Sequence, residues 1–312
     1  MPQKKCLIID QMHESFISML KEIGWEASYQ PDISRDEIKR IHHHYSGLIV
    51  RGKTRIDDDL LGDHPTITFV GRAGAGVDNL DLDYLSKKNI KVIHAAEGNR
   101  DAVGEHTVGI LLSLLRNISR ADQQVRSHIW KREENRGTEI MDKTVGIVGY
   151  GNMGRAFAKR MSGFGCKVLA YDKYISGFSD SCVEEVDMQR LFEEADMISL
   201  HIPLTSETKG MVNRDYLSRF KKDIVLINTS RGEIVVQRDL AEHLKTGKVK
   251  GAALDVLENE RLAELTPSER EIFNILVQQT NVIFTPHIAG WTVESHRKIN
   301  VALINKIKAL NG

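Results

Sequence analysis

Gly149-Tyr150-Gly151-Asn152-Met153-Gly154 spells G-x-G-x-x-G between a short apolar run, Val145-Gly146-Ile147-Val148, and a helical pattern from Arg155 to Met161. Each glycine has a separate task in such a turn. Gly149 permits the tight bend, Gly151 lets the backbone approach a pyrophosphate, and Gly154 lets the helix sit close to the strand. The first N–H groups of the helix, at Asn152 and Met153, then face the phosphates. Asp172 ends the next apolar run, eighteen residues after Gly154. A carboxylate there accepts from both ribose hydroxyls and repels a 2′-phosphate, which favours NAD over NADP. Lys173 beside it softens that preference.

A second set of residues fits the interconversion of a hydroxyl and a carbonyl. That chemistry needs a group to take the hydroxyl proton, a group to hold this base in the right tautomer, and a group to grip a carboxylate. The candidates each follow an apolar run. Asn228-Thr229-Ser230-Arg231-Gly232 follows 224–227, and the planar fork of an arginine suits a carboxylate. Asp255 follows the next run, with Glu258 and Glu260 just beyond. Thr285-Pro286-His287-Ile288-Ala289-Gly290 follows the last. The imidazole of His287 is a suitable base, its unperturbed pKa lying near ~6.5. Either acid of the 258/260 pair could be its partner.

These residues need a scaffold that brings strand ends together, and the apolar pattern predicts one. Leu7-Ile8-Ile9, Gly47-Leu48-Ile49-Val50, Phe69-Val70 and Val92-Ile93 alternate with amphipathic stretches. Strands apolar on both faces and separated by helices imply parallel β/α units. One long helical pattern is expected from Ala102 to His128, broken by the polar segment 131–136. A second β/α series starts at Thr144, with strand candidates at 145–148, 168–171, 197–200, 224–227, 251–254 and 282–284. Six strands after one glycine-rich turn fit a dinucleotide-binding sheet, in which ligands sit at the carboxyl ends of the strands. An amphipathic helix from Ser295 to Leu310 ends the pattern.

Length and composition bound the rest. A chain of 312 residues suggests two domains. Lys+Arg and Asp+Glu are both 43, which excludes a broad basic footprint for nucleic acid. Three widely spaced cysteines, Cys6, Cys166 and Cys182, give no disulfide scaffold and no cysteine zinc site. No apolar run is long enough for a membrane span, and the start is too short for a signal-peptide core, so a cytoplasmic protein is expected. His42-His43-His44 resembles a metal tract, but no second ligand cluster follows, so no metal is expected there. Ser230 lacks a G-x-S-x-G elbow, which argues against a serine hydrolase.

Taken together, the motifs resemble the NAD-dependent D-isomer-specific 2-hydroxyacid dehydrogenases over essentially the whole chain. The likeness rests on Arg72-Ala73-Gly74-Ala75-Gly76-Val77-Asp78-Asn79, the nucleotide turn, His201-Ile202-Pro203-Leu204-Thr205, Asn228 to Gly232, Ala253-Leu254-Asp255-Val256 and Thr285 to Gly290. It implies an α/β fold of two Rossmann-like, doubly wound parallel-sheet domains. A substrate domain of residues 1–97 plus 290–312 would be interrupted by an NAD-binding domain of residues 98–289. Hinges are expected near 96–101 and 286–292, with closure excluding water. The resemblance implies His287 as acid/base, Glu260 as its partner, and Arg231 as the binder of the substrate's carboxylate and carbonyl oxygen. Asp255 would lie on the nicotinamide side. Ala75 and Gly76 would offer N–H groups to the carboxylate, and Pro203, Thr229, Ser230 and Gly290 would line the cofactor site. Glu105 and Thr107 resemble a motif that caps the long helix and lines the nucleotide site. Two departures stand out: Arg261 replaces a customary proline, and the 27 positions from Glu260 to His287 form a longer segment than is usual.

Within that family the substrate depends on local cations. Arg51-Gly52-Lys53-Thr54-Arg55 puts three of them at one strand end. Arg51 and Lys53 could hold a phosphate as well as a carboxylate, whereas Arg55 reads as part of a solvated face. The segments 128–132 and 137–140 resemble D-3-phosphoglycerate dehydrogenases, whose partner subunit brings a tryptophan and a basic residue to the site. Arg132 and Lys131 match that basic residue. The expectation is therefore a homodimer that oxidises D-3-phosphoglycerate with NAD, at the entry to serine synthesis and without a C-terminal regulatory domain. A glyoxylate/hydroxypyruvate reductase is the alternative, and a non-catalytic NAD(H) sensor the alternative of another class.

Overall fold

A computed structural model describes residues 4–310; the outermost positions of the two flanking segments, 1–3 and 311–312, lie outside the described residues. The chain divides into two compact units. One is discontinuous, running through Arg100 and resuming at Trp291, and the other is continuous from Asp101 to Gly290.

The discontinuous unit is built on five parallel strands: β1 (Lys5–Ile8), β2 (Glu26–Tyr29), β3 (Gly47–Val50), β4 (Phe69–Arg72) and β5 (Lys91–His94), in the order β2-β1-β3-β4-β5. That order belongs to a doubly wound sheet. Successive residues of one strand feed opposite faces. Leu7 and Ile9 pack with Leu48, Val50 and Val70 on one side. Cys6 and Ile8 pack with Phe16, Ile49 and Phe69 on the other, where the closing helix Val293–Leu310 adds Ile299, Leu303, Ile304 and Ile307. The three acids 57–59 start a helix, as their position suggests: Asp57 accepts from the N–H of Leu60 and caps Asp58–Leu61.

The continuous unit carries seven parallel strands: β6 (Thr144–Val148), β7 (Lys167–Tyr171), β8 (Glu184–Glu185), β9 (Met197–Leu200), β10 (Ile224–Asn228), β11 (Val249–Leu254) and β12 (Val282–Phe284). Their order is β12-β11-β10-β9-β6-β7-β8. Chain direction reverses its march at β6, next to the glycine-rich turn, which makes that turn the switch point where ligands bind. Again two cores flank the sheet. Leu226, Ala252 and Leu254 face one, and Val225, Ile227 and Ala253 face the other with Ile110, Leu111 and Leu114.

The single helix expected from Ala102 to His128 is two, Ala96–Leu115 and Ile118–Arg126. Asn117 breaks it with φ +55, a left-handed conformation that asparagine tolerates better than most residues. The first helix also begins earlier than its apolar pattern, so Glu105 and Thr107 are interior to it and cap nothing. Glu105 pairs with Arg160 at 3.0 Å, and Thr107 bonds Thr229 at 3.2 Å. The polar segment after the break contains only a short 3-10 turn, Glu133–Asn135. His42–His44 is likewise a 3-10 turn at the end of the helix Arg35–Ile41. No group of three metal-ligating side chains occurs among the described residues. None of their helices is long and apolar enough to cross a membrane.

Candidate active site

The chemistry-bearing residues of the continuous unit all leave the carboxyl ends of its parallel strands. Gly149 follows β6, Asp172 follows β7, His201 follows β9, Thr229 follows β10, Asp255 follows β11 and Thr285 follows β12. Parallel pairing aligns these ends: Val148 stands opposite Tyr171 and Leu200, and Asn228 opposite Leu254.

The glycine turn is shaped as its sequence requires. Gly149 has φ +93, and a Cβ on it would lie 2.4 Å from the carbonyl oxygen of His201. A Cβ on Gly154 would lie 2.0 Å from the carbonyl oxygen of Gly149, so only glycine lets the helix close on the turn. Gly151 faces open space and is the N-cap of the helix Asn152–Met161, with no side-chain cap bond. That leaves an uncapped helix N-terminus carrying partial positive charge, which suits a pyrophosphate. Asp172 is locked beside it. One carboxylate oxygen accepts from the N–H of Tyr150 at 2.7 Å, and the other from Tyr174 and Ile175 at 2.9 and 3.0 Å. Lys173 is drawn away from a nucleotide role by an ion pair with Glu207.

Further along the edge, Ser230 Oγ donates to the carbonyl of Leu200 at 2.6 Å, and Asn228 Nδ2 to that of Arg231 at 2.9 Å. These bonds fix the loop that carries Arg231, whose Nη1 donates to the Ser230 carbonyl. Gly232 is sterically required: a Cβ would sit 1.8 Å from the Leu257 carbonyl oxygen. His201 packs on Phe157, and its Nε2 meets Ser199 Oγ at 2.8 Å. Burial drives its pKa down to about 3, so the ring is neutral. Pro203 is exposed on the segment after it.

The loop after β12 is held by Asp255. One carboxylate oxygen accepts from Thr285 Oγ1 at 2.5 Å and the Ile288 N–H at 2.9 Å, and the other from the Ala289 N–H at 2.9 Å. His106, from the helix Ala96–Leu115, adds a contact at 3.4 Å and bonds Thr285 at 3.0 Å. The carboxylate is wholly enclosed. Burial raises its pKa, but the contact with His106 and the bonds from Thr285 and the two amides outweigh burial and hold it below the usual range. These four contacts make Asp255 the residue that positions the loop. Nothing in the spacing of His106 pointed to this contact, because the helix that brings it here is far away in sequence.

His287 rides on that loop with φ +54. Its Nδ1 lies 3.0 and 3.1 Å from the two oxygens of Glu260. Glu258 goes elsewhere: it accepts from the Gln237 N–H at 2.9 Å and caps the helix Gln237–Thr246. With Nδ1–H given to Glu260, Nε2 of His287 carries the lone pair and can take a proton.

The discontinuous unit presents its own group of candidates at the carboxyl edge of its sheet. Ala75 and Gly76 follow β4, and among the described residues their N–H groups have no protein acceptor. Arg51 follows β3 and is half-buried. Its N–H and that of Lys53 both donate to Asp10, at 2.6 and 3.4 Å. Lys53 folds its ammonium back onto the Pro31 carbonyl. Arg55 is exposed near Asp57 and Asp81. Arg132 lies with Trp130 on the exposed segment after Arg126.

A family model for the D-isomer specific 2-hydroxyacid dehydrogenase, NAD binding domain, matches residues 108–289. The chain belongs to this family. Its members are NAD-dependent oxidoreductases of 2-hydroxy acids, and the glycine turn, uncapped helix and Asp172 described above fit that cofactor. A hydroxypyruvate reductase of Thermotoga maritima is 35% identical over 275 residues, 88% of each chain. A D-3-phosphoglycerate dehydrogenase of Bacillus subtilis is 36% identical over 307 residues, which is 96% of this chain but 55% of the relative. The chain thus spans little more than half the length of that dehydrogenase. The D-lactate dehydrogenase of Aquifex aeolicus, solved with NAD and lactic acid, superposes with a TM-score of 0.83 at 27% identity, over 98% of this chain and 95% of that one.

Proposed function

We propose that this dehydrogenase interconverts D-3-phosphoglycerate and 3-phosphohydroxypyruvate. The observation that carries this reading is the Arg51 guanidinium. It is half-buried, and Asp10 acts on it through its charge while bonding the backbone N–H of Arg51 instead of the guanidinium. With no carboxylate of the described residues in its fork, the half-buried guanidinium has donors to spare, and a dianionic phosphate on the substrate supplies acceptors for them. The likeness to D-3-phosphoglycerate dehydrogenases over 96% of this chain supports the same reading.

Each residue then has a defined task. His287 Nε2 takes the proton of the C2 hydroxyl as the carbonyl forms, and Glu260 stabilises the imidazolium through Nδ1–H. NAD, held by the glycine turn and Asp172, would supply the hydride acceptor for the C2 hydrogen. Arg231 offers its fork to the carboxylate and the carbonyl oxygen. The N–H groups of Ala75 and Gly76 bind the carboxylate, and Arg51 and Lys53 bind the phosphate. Asn152 and Met153 offer N–H groups to the pyrophosphate and Asp172 accepts from the ribose, while Pro203, Thr229, Ser230 and Gly290 line the cofactor. The three cysteines are free thiols, which suits the cytoplasm.

The exposed apolar side chains of Ile118 and Val125 on one helix, and of Ile129 and Trp130 just after it, support a homodimer. Trp130 is 84% exposed, an unusual state for the largest apolar side chain. We assign this face to a second copy, with Lys131 and Arg132 carried towards the partner's substrate.

A second reading, hydroxypyruvate reduction, is favoured by one observation: Lys53 rests on the Pro31 carbonyl and so offers its ammonium less freely. Purified protein assayed with NAD on D-3-phosphoglycerate and on D-glycerate separates the two. The proposal expects a strong preference for the phosphorylated acid. Equal activity on both selects the second reading, and tight NADH binding with no turnover on any 2-oxo acid selects a sensor.

A further inference from the structure

Arg51 does not stand alone. Trp291 covers one face of its guanidinium, with Cζ 3.8 Å from the ring centroid. His296 Nε2 lies 3.3 Å from Nη1 and 3.4 Å from Nη2. The two aromatic rings meet edge to face, their centroids 4.8 Å apart at 82°. All three side chains belong to the discontinuous unit. Trp291 and His296 bracket the start of the helix Val293–Leu310, and Arg51 leaves β3.

The donor geometry decides what this cluster can do. A guanidinium has five N–H donors in one plane. A single acceptor reaching both Nη atoms occupies the end of the fork between them. Trp291 blocks one face by stacking. The edge formed by Nε–H and one outer Nη–H stays open, and that edge matches two oxygens of a phosphate or carboxylate. His296 can accept only while Nε2 is unprotonated. Burial, then the nearby charge of Arg51, hold its pKa below the ordinary imidazole range. Asp10 is the carboxylate that acts on Arg51, and it accepts from backbone N–H groups rather than from the guanidinium. The ring is therefore a neutral acceptor at neutral pH.

We infer that His296 is a positioning residue that, with Trp291, fixes the rotamer of Arg51 and aims its open edge at the substrate's second anionic group. The inference rests on the reading above that Arg51 binds substrate. It adds a specificity device from the far end of the chain: a phosphate-bearing acid is gripped edge-on by an arginine already ordered before binding. An arginine held in advance loses less rotamer freedom on binding than a mobile one.

The test is steady-state kinetics of the full chain with D-3-phosphoglycerate at saturating NAD, for Arg51→Leu, His296→Leu, His296→Gln and the double leucine variant, with melting temperatures for each. Glutamine places an acceptor near the position of Nε2. We expect His296→Leu to raise KM roughly ten- to a hundredfold, the factor equivalent to one hydrogen bond on a charged group, with kcat little changed. His296→Gln should recover most of that loss, and the double variant should be no worse than Arg51→Leu. If Arg51→Leu raises KM but His296→Leu does not, the inference fails and the reading of Arg51 stands. If Arg51→Leu leaves KM unchanged, the reading of Arg51 itself fails. Multiplying effects in the double variant overturn the inference, because His296 then acts independently of Arg51. So does a loss in kcat and melting temperature that glutamine does not rescue.

Discussion

Nδ1 of His287 and the carboxylate of Glu260 meet at 3.0 Å although 27 residues separate them. Neither residue could reach the other from its own turn. Glu260 is delivered by the segment after β11, and His287 by a loop that Asp255 ties to the end of the same strand.

That pair makes the first prediction. His287→Asn should lower kcat by about 10²–10⁴, the usual worth of a positioned acid/base. Glu260→Gln should lower kcat by less, since the base survives with a weaker partner. Glu258→Gln should leave kcat near wild type, because Glu258 caps a helix instead. Initial rates under saturating substrate and NAD check all three, and a Glu258 variant as impaired as the Glu260 one would contradict the assignment.

Asp255 makes a stability prediction with a definite sign. Its folded-state pKa is lowered, so the stability it contributes is fully present above the ordinary carboxylate pKa. That contribution disappears as pH falls through the folded value. Asp255→Asn turns an amide towards donors and should cost roughly 2–4 kcal/mol at neutral pH. Urea unfolding across a pH series should show the gap between variant and wild type narrowing below the ordinary aspartate range. A gap independent of pH would mean the charge is not what holds the loop.

Cofactor preference should follow two residues. Asp172→Ala should weaken NAD binding and narrow its advantage over NADP. Glu207→Gln frees Lys173 and should lower KM for NADP further in the Asp172→Ala background. If Glu207→Gln changes neither KM, Lys173 plays no part in cofactor choice.

The exposed tryptophan leads to a prediction about assembly. Sedimentation should show a dimer at micromolar concentration, and Trp130→Asp should shift it towards monomer. A wild-type monomer would remove the proposed role of Arg132.

Much of the scaffold was legible because it depends on local rules. Strands covered on both faces read as apolar runs, and β3, β6, β9 and β10 are wholly buried. Two of the four edge strands, β5 and β12, kept enough apolar residues to be read, but the other two did not. β2 is Glu-Ala-Ser-Tyr and β8 is Glu-Glu, with too little burial to leave an apolar signature. The glycine turn could be read because backbone sterics alone dictate glycine at 149 and 154. The partner of His287 and the enclosure of Asp255 could not be read from spacing. They depend on where two loops come to lie after folding, and two acids two residues apart look alike in a sequence. The contacts of His106 and His296 were hidden for the same reason, since each joins a helix to a distant strand end.

The tie between Asp255 and the amides of Ile288 and Ala289 has a consequence for how the molecule breathes. Surface loops usually exchange their amide hydrogens quickly. These two cannot do so without uncovering a carboxylate that has no access to water. Their protection should therefore approach that of the central strands, although His287 between Thr285 and Ile288 stands exposed. The proton-carrying ring should thus ride on one of the slowest-opening parts of the chain, its position tied to the stability of a buried charge.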